Sequence, residues 1–176
     1  DIIVTYPQWP RGWQLAADWL RFSDEGGMTR EVISHVIFLS ERILGPLNLV
    51  WAFTDYPAEG NLCETQVAAR LVNEVGLPVT IMGSVGGAQP ERQEVTIKGS
   101  KISRRISEFA IDTVSSGEPF APTDSIPDDT RATSLKAQLD DLTLLMAGKP
   151  NRLATIDEAL RVQILIEEIL ASPSSI

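Results

Sequence analysis

The sequence predicts an α+β domain, an open and largely antiparallel sheet of about six strands or more with helices packed on one face. Three observations lead there. Short apolar or alternating runs succeed one another through residues 47–114, separated by Gly, Pro and Ser. Helical periodicity is confined to one segment before those runs and two after them. Strands that follow one another in the chain pair as hairpins, and segregated helices gather on one face of such a sheet.

The elements follow in order. Ile2–Tyr6 is a β-type run, ended by Pro7 and Pro10. Trp9, Trp13 and Trp19 come next, and Gly26-Gly27 then break the chain. Thr29 is placed to cap a helix running to Leu44, where Gly45-Pro46 stops it. Residues 47–54 read as a strand. Residues 65–72 alternate, with Val67, Ala69 and Leu71 on one face, and residues 77–82 form a more apolar strand. Residues 93–98 and 101–109 flank Gly99-Ser100 as a hairpin, and residues 110–114 supply a last strand. Residues 115–129 hold three prolines and little periodicity, the mark of a connector. Leu135, Leu139, Leu142 and Met146 recur at helical spacing up to Gly148. Thr155 and Glu158 form a capping box that opens a final helix to Leu170, ahead of Pro173.

Length and charge restrict the function classes. The 176 residues suit one domain, and 43% apolar with 22% charged residues describes an ordinary globular chain. A net charge of -9 argues against a nucleic-acid surface, and the Arg104-Arg105 pair does not alter that. Cys63 is the single cysteine, so no internal disulfide or cysteine-based metal cluster forms. A free thiol without a signal peptide fits a reducing cytoplasm. No apolar run reaches the ~18 residues of a membrane span. The chain starts at Asp1 directly in a strand, which fits a piece excised from something longer.

His35 is the only histidine, so a metal site is not expected. At 100° per residue, Val32, Ile33, Val36, Ile37, Leu39, Ile43 and Leu44 share an apolar arc. Glu31, His35 and Arg42 fall on a stripe at one margin, while Arg30, Ser34 and Glu41 lie on the opposite, solvated margin. Glu31 and His35 are thus helix neighbours. The pair fits two descriptions: a surface contact stabilising a helix, or an imidazole whose tautomer a carboxylate fixes for proton transfer. The segment Gly83–Ala88 is glycine-rich after a strand. Its GxxGG spacing and the strand that follows exclude a phosphate-binding loop. In residues 6–13, Tyr6, Trp9 and Trp13 stand with Gln8 and Arg11. Such rings either cover a sheet end or stack on sugars while Gln and Arg bond hydroxyls or carboxylates.

Three stretches together carry a resemblance: TYPQWPRGW, GGMTREVISHVIFLSERILG and VTIMGSVGGAQPERQEVTIKGSK. In that order they resemble the C-terminal domain of the Gfo/Idh/MocA oxidoreductases, named for glucose-fructose oxidoreductase and inositol dehydrogenase. The tail from Leu135 to Ser172 is similar to that domain's closing helix pair, so the resemblance spans nearly the whole chain. It implies an NAD- or NADP-dependent enzyme of sugars, polyols or related carbonyl compounds, with the substrate held between this domain and a preceding Rossmann domain. The family's helix pattern is GG-x-x-x-D-x-x-x-H, and its His takes the substrate hydroxyl proton. His35 matches that position; Glu31 stands where the family has Asp.

The Gly-rich dinucleotide loop and the Glu-Lys-Pro motif of the family's Rossmann half have no counterpart here. The expectation is therefore a single C-terminal substrate-side and oligomerisation domain over 1–176. It would be inactive alone, without cofactor-binding residues of its own, with the dinucleotide held mainly by the Rossmann half. His35 and Glu31 are the catalytic candidates; Tyr6, Gln8, Arg11 and Trp13 are the substrate-binding candidates. Partners would be a sugar-like small molecule, the Rossmann domain and further copies of the chain, as a homo-dimer or higher through the sheet face, with neither nucleic acid nor membrane. The alternative is a non-catalytic binding or assembly module with the same fold.

Overall fold

The computed structural model describes residues 1–58, 60–123 and 129–172. Eight strands form one open sheet: β1 Ile2–Tyr6, β2 Leu47–Asp55, β3 Gln66–Asn73, β4 Pro78–Val85, β5 Arg92–Lys98, β6 Ser103–Ser107, β7 Ile111–Ser115 and β8 Ala121–Pro122. Three α-helices accompany them: α1 Ser34–Leu44, α2 Thr130–Met146 and α3 Ile156–Leu170. The expected α+β class and helix-covered sheet are found.

The sheet order is β2-β3-β4-β1-β5-β6-β7-β8. Every neighbouring pair is antiparallel except β1 with β4. The first strand therefore does not open the sheet; it sits in its middle, joining a hairpin series on either side. Its alternating burial shows why it can: Ile2, Val4 and Tyr6 are all buried on the helix face. The sequence places five apolar or hydroxyl residues in a row there, which a strand with neighbours on both edges tolerates.

On the helix face, Val67, Ala69, Leu71, Val79, Ile81 and Val95 continue the layer begun by β1. Val32, Ile33, Val36 and Ile37 press down from the first helix, and Val162, Leu165, Ile166 and Ile169 from α3. Gly83 makes the first of these contacts possible. A Cβ there would lie 2.6 Å from Val67 Cγ1 and 2.7 Å from Met28 Cε. The missing methyl is the space that Met28 occupies.

Two features differ from the sequence reading. Residues Thr29–Ile33 form a π-helical turn ahead of α1, in which Ser34 N–H donates to Thr29 O. The Thr29 side chain does not cap the helix, and residue 29 is buried inside it. The margin assigned to solvent is also covered, because α3 lies over it. Arg30 forks onto Glu167 with Nε and Nη2 both at 2.7 Å, and buried Glu41 accepts from Leu47 N–H at 3.0 Å. The helix α2 buries Asp141 alone among its residues, leaving Leu135, Leu139, Leu142 and Met146 exposed. The proposed connector over 115–129 contains β8; residues 124–128 of it lie outside the described residues.

Among the described residues no helix is long and apolar enough to cross a membrane. Replacing Gly83 with Ala is expected to lower stability by about 1–3 kcal/mol, as an added methylene does in a filled core. Urea unfolding checks this through a lower midpoint at unchanged slope.

Candidate active site

The site is built around the end of β1 and the start of the first helix. The helix start is fixed by Glu64, a carboxylate only 1% exposed, whose Oε1 accepts from Thr29 N–H at 2.7 Å. Gly27, at φ 105°, lies directly against it: a Cβ there would come within 2.3 Å of Glu64 Oε2. A second glycine is needed beside it, since a Cβ on Gly26 would meet Leu20 O at 2.4 Å. The Gly-Gly pair is thus a requirement of space as well as of backbone angle. Arg30 closes the turn, donating from Nη1 to Ser23 O and Gly26 O.

Burial pushes the Glu64 carboxyl above the ordinary carboxylate range; the hydrogen bonds at Thr29 and the Arg30 charge pull it back only in part. Its neighbour Cys63 is also buried, and its thiol is pushed up to about 12. That cysteine stays protonated at neutral pH and is no nucleophile.

Tyr6, Arg11 and Trp13 do come together. The Arg11 guanidinium lies over the Trp13 ring at 4.6 Å, the Tyr6 ring at 5.2 Å and the Trp9 ring at 5.7 Å. Its Nε donates to Gln14 Oε1 at 2.8 Å, and Gln14 Nε2 donates on to Glu31 Oε1 at 3.1 Å. Arg11 makes no ion pair among the described residues, so its remaining N–H groups suit a hydroxyl or carboxylate. Gln8 is exposed beside Gly12 at the rim of this group. Burial raises the Tyr6 phenol, with Arg11 acting in the opposite sense. The Gln93 side chain stands near that hydroxyl but outside hydrogen-bond geometry.

His35 is exposed, and no hydrogen bond joins it to Glu31. The π turn separates them: widening the helix to an i→i+5 bond moves residues four apart out of line. Glu31 turns to Gln14 while the imidazole meets Phe109 edge-on, ring centroids 6.4 Å apart and planes at 84°. His35 and Phe109 also border a cavity of about 70 Å³, with Val36, Leu39, Val95, Ile106 and Gln93 around it. Gln93 therefore belongs to both groups, lining the His35 cavity and lying beside Tyr6.

Gln14, Gln93, Phe109 and Glu64 were not singled out by sequence. Only Phe109 carries a local signal, an aromatic in a hairpin turn without glycine. Glu108 and Phe109 hold φ of 51° and 61°, with Ala110 N–H donating to Ser107 O at 3.1 Å. Two consecutive non-glycine residues there cost roughly 1–2 kcal/mol each.

Neither anion-binding device is open to a dinucleotide. The Thr29 amide at the helix start already donates to the buried Glu64 carboxylate, and the Gly83–Ala88 segment leads into β5, not into a helix. No group of three or more metal-ligating side chains occurs among the described residues.

No protein-family model matches the chain, and no curated protein matches it. Solved structures do. An oxidoreductase from Agrobacterium radiobacter, in complex with NAD+, L-tartaric acid and magnesium, superposes with a TM-score of 0.72 at 15% identity. The match covers 97% of this chain and 53% of that one. A 3-ketoreductase from Actinomadura kijaniata, in complex with NADP and TDP-benzene, gives 0.71 at 16% identity over 99% and 54%. The WlbA dehydrogenase from Bordetella pertussis, in complex with NADH and UDP-GlcNAcA, gives 0.67 at 20% identity over 97% and 53%. The fold is that of the Gfo/Idh/MocA-type oxidoreductases. The chain spans about half the length of these solved structures.

In this Gfo/Idh/MocA-type fold the buried Glu64 leaves a pH signature. Its folded pKa is raised, so between the ordinary carboxylate value, roughly pH 4, and that raised value the folded state holds more protons than the unfolded one. Stability from this group is accordingly greatest in acid and declines as pH rises through the window. Glu64→Gln, which keeps an acceptor for Thr29, is expected to flatten that decline. Urea unfolding at a series of pH values from 4 to 8 measures the slope, and an unchanged slope would remove Glu64 as its source.

Proposed function

We propose that this chain is the substrate-side, C-terminal part of an NAD(P)-dependent oxidoreductase acting on a sugar, polyol or related hydroxy or carbonyl compound. The observation that carries this is the chain's only histidine, exposed at the rim of a small cavity, in a fold of which three solved examples hold nicotinamide dinucleotides. The residues present do not fit the dinucleotide, for the reasons given by Glu64 and the β4–β5 loop. The cofactor is therefore assigned to a preceding Rossmann domain, and this part is inactive alone.

Within that reading His35 exchanges a proton with the substrate hydroxyl. Arg11, held by three rings and Gln14, supplies donors that orient the substrate; Trp13 and Gln8 border it, while Tyr6, fully buried, supports Arg11 from beneath. Glu31 acts on Arg11 through Gln14 in this arrangement. A direct role at His35 would require it to leave Gln14. A single, protonated Cys63 fits a reducing cytoplasm.

His35→Ala in the complete polypeptide is expected to lower kcat by at least about a hundredfold. Unchanged turnover would take His35 out of the chemistry. The engagement of Glu31 by Gln14 favours the second reading, a non-catalytic binding or assembly module with the same fold. Coding sequence upstream of Asp1 distinguishes the two: a GxGxxG strand-turn-helix with a Glu-Lys-Pro supports the enzyme, and an independent start supports the module.

The outer sheet face is assigned to a second copy of the chain. Phe53, Ala68, Met82 and Ile3 are register partners across β2, β3, β4 and β1, and Trp51 packs on Phe53 at 5.6 Å. Phe53 and Met82 are each 52% exposed, an apolar row that a dimer would bury. Sedimentation of the chain should give a dimer that Phe53→Glu converts to monomer. A strict monomer at high concentration overturns the interface.

A further inference from the structure

The cavity beside His35 differs in chemistry from the rest of the site. Gln8 and Arg11 offer hydrogen-bonding groups there, whereas the cavity walls are the hydrocarbon of Val36, Leu39, Val95, Ile106 and Phe109. Glu94 also borders it, but its carboxylate is tied to Arg92 at 3.0 Å. Gln93 and the imidazole are the remaining polar groups there. At about 70 Å³ the cavity is far smaller than the roughly 300–1,000 Å³ of a whole-ligand site, and suits a short substituent.

The outer wall is held at a conformational cost. Glu108 and Phe109 both adopt left-handed backbone angles, and Glu108 N–H donates to Gln93 O at 2.9 Å. A glycine in either position would relax the turn. With Phe109 the turn instead sets an aromatic ring against His35 and over the cavity. Local strain combined with a ring placed at a titratable side chain is the arrangement expected of a binding wall.

Resting on the oxidoreductase reading, we propose that this cavity is an apolar subsite for a one- or two-carbon substituent next to the reacting carbinol, with Phe109 as its wall. The substrate class narrows accordingly to hydroxy compounds bearing a methyl or similarly short apolar group beside the carbinol. Fully hydroxylated polyols are disfavoured, since a hydroxyl placed there trades water for hydrocarbon.

The single histidine provides the test, because its ring resonances in an NMR spectrum of the chain need no assignment among rivals. Titration with 1,2-propanediol and with glycerol compares a methyl with a hydroxymethyl beside the same carbinol. The expected result is half-maximal displacement of the His35 resonances at a 1,2-propanediol concentration at least about tenfold below that of glycerol, the discrimination one such group supports. In Phe109→Ala, a change at a ring 53% exposed, that ratio should fall below about threefold. Equal response to the two probes, or the same ratio in Phe109→Ala, overturns the subsite. These outcomes are separate from turnover in His35→Ala: discrimination with unchanged turnover keeps the subsite and removes the base, and the reverse removes only the subsite.

Discussion

The site rests on one buried hydrogen bond, from the Thr29 amide to the Glu64 carboxylate. A helix start leaves amides without partners, and a carboxylate beside them gains both the hydrogen bonds and the field of the aligned peptides. These gains oppose the cost of burying a charge, which is why the carboxyl remains raised. The contact also dictates sequence around it. Gly26 and Gly27 have no room for a Cβ, and Arg30 must reach back over the turn to Ser23, Gly26 and Glu167. With the start pinned in this way, the π turn decides where Glu31 and His35 point.

The consequence for ligand chemistry is a division of labour. A helix N-terminus is a ready anion site, and here an internal carboxylate has taken it. On the oxidoreductase reading, Arg11 and His35 would suit a neutral or singly charged small molecule and not a pyrophosphate. Arg11 itself is held by ring faces and an amide oxygen, contacts that fix its position without neutralising it.

Much of the fold was legible because it depends on local periodicity. The alternation of Val67, Ala69 and Leu71 fixed a face, Gly99-Ser100 a hairpin, and the Thr155–Glu158 box a helix start. The central place of β1 was not legible, since pairing with β4 across 79 residues leaves no trace in either strand's pattern. The solvated margin was misread for a related reason: Arg30 and Glu41 look like surface residues, and only α3 lying across them makes Arg30 a partly covered and Glu41 a buried ion-pair partner. In the site, residue identity was informative where residue geometry was not. His35 and Arg11 stand out by type. The i,i+4 link from Glu31 to His35 assumed a regular helix, and a π turn at the helix start removed it.

The two sheet faces, finally, show different solutions to apolar exposure. The helix face is closed by α1 and α3 over a core in which even one methyl at Gly83 has no room. The outer face carries Trp51, Phe53 and Met82 in contact register with no covering element among the described residues. A bulge between Leu49 and Trp51 is what turns Trp51 outward: the extra residue, Val50, shifts the alternation by one, so that Leu49 and Ala52 both remain on the helix face. A strand that needed only to close the core would keep regular pairing. The bulge instead adds an indole to the uncovered face, beside Phe53, enlarging its apolar surface.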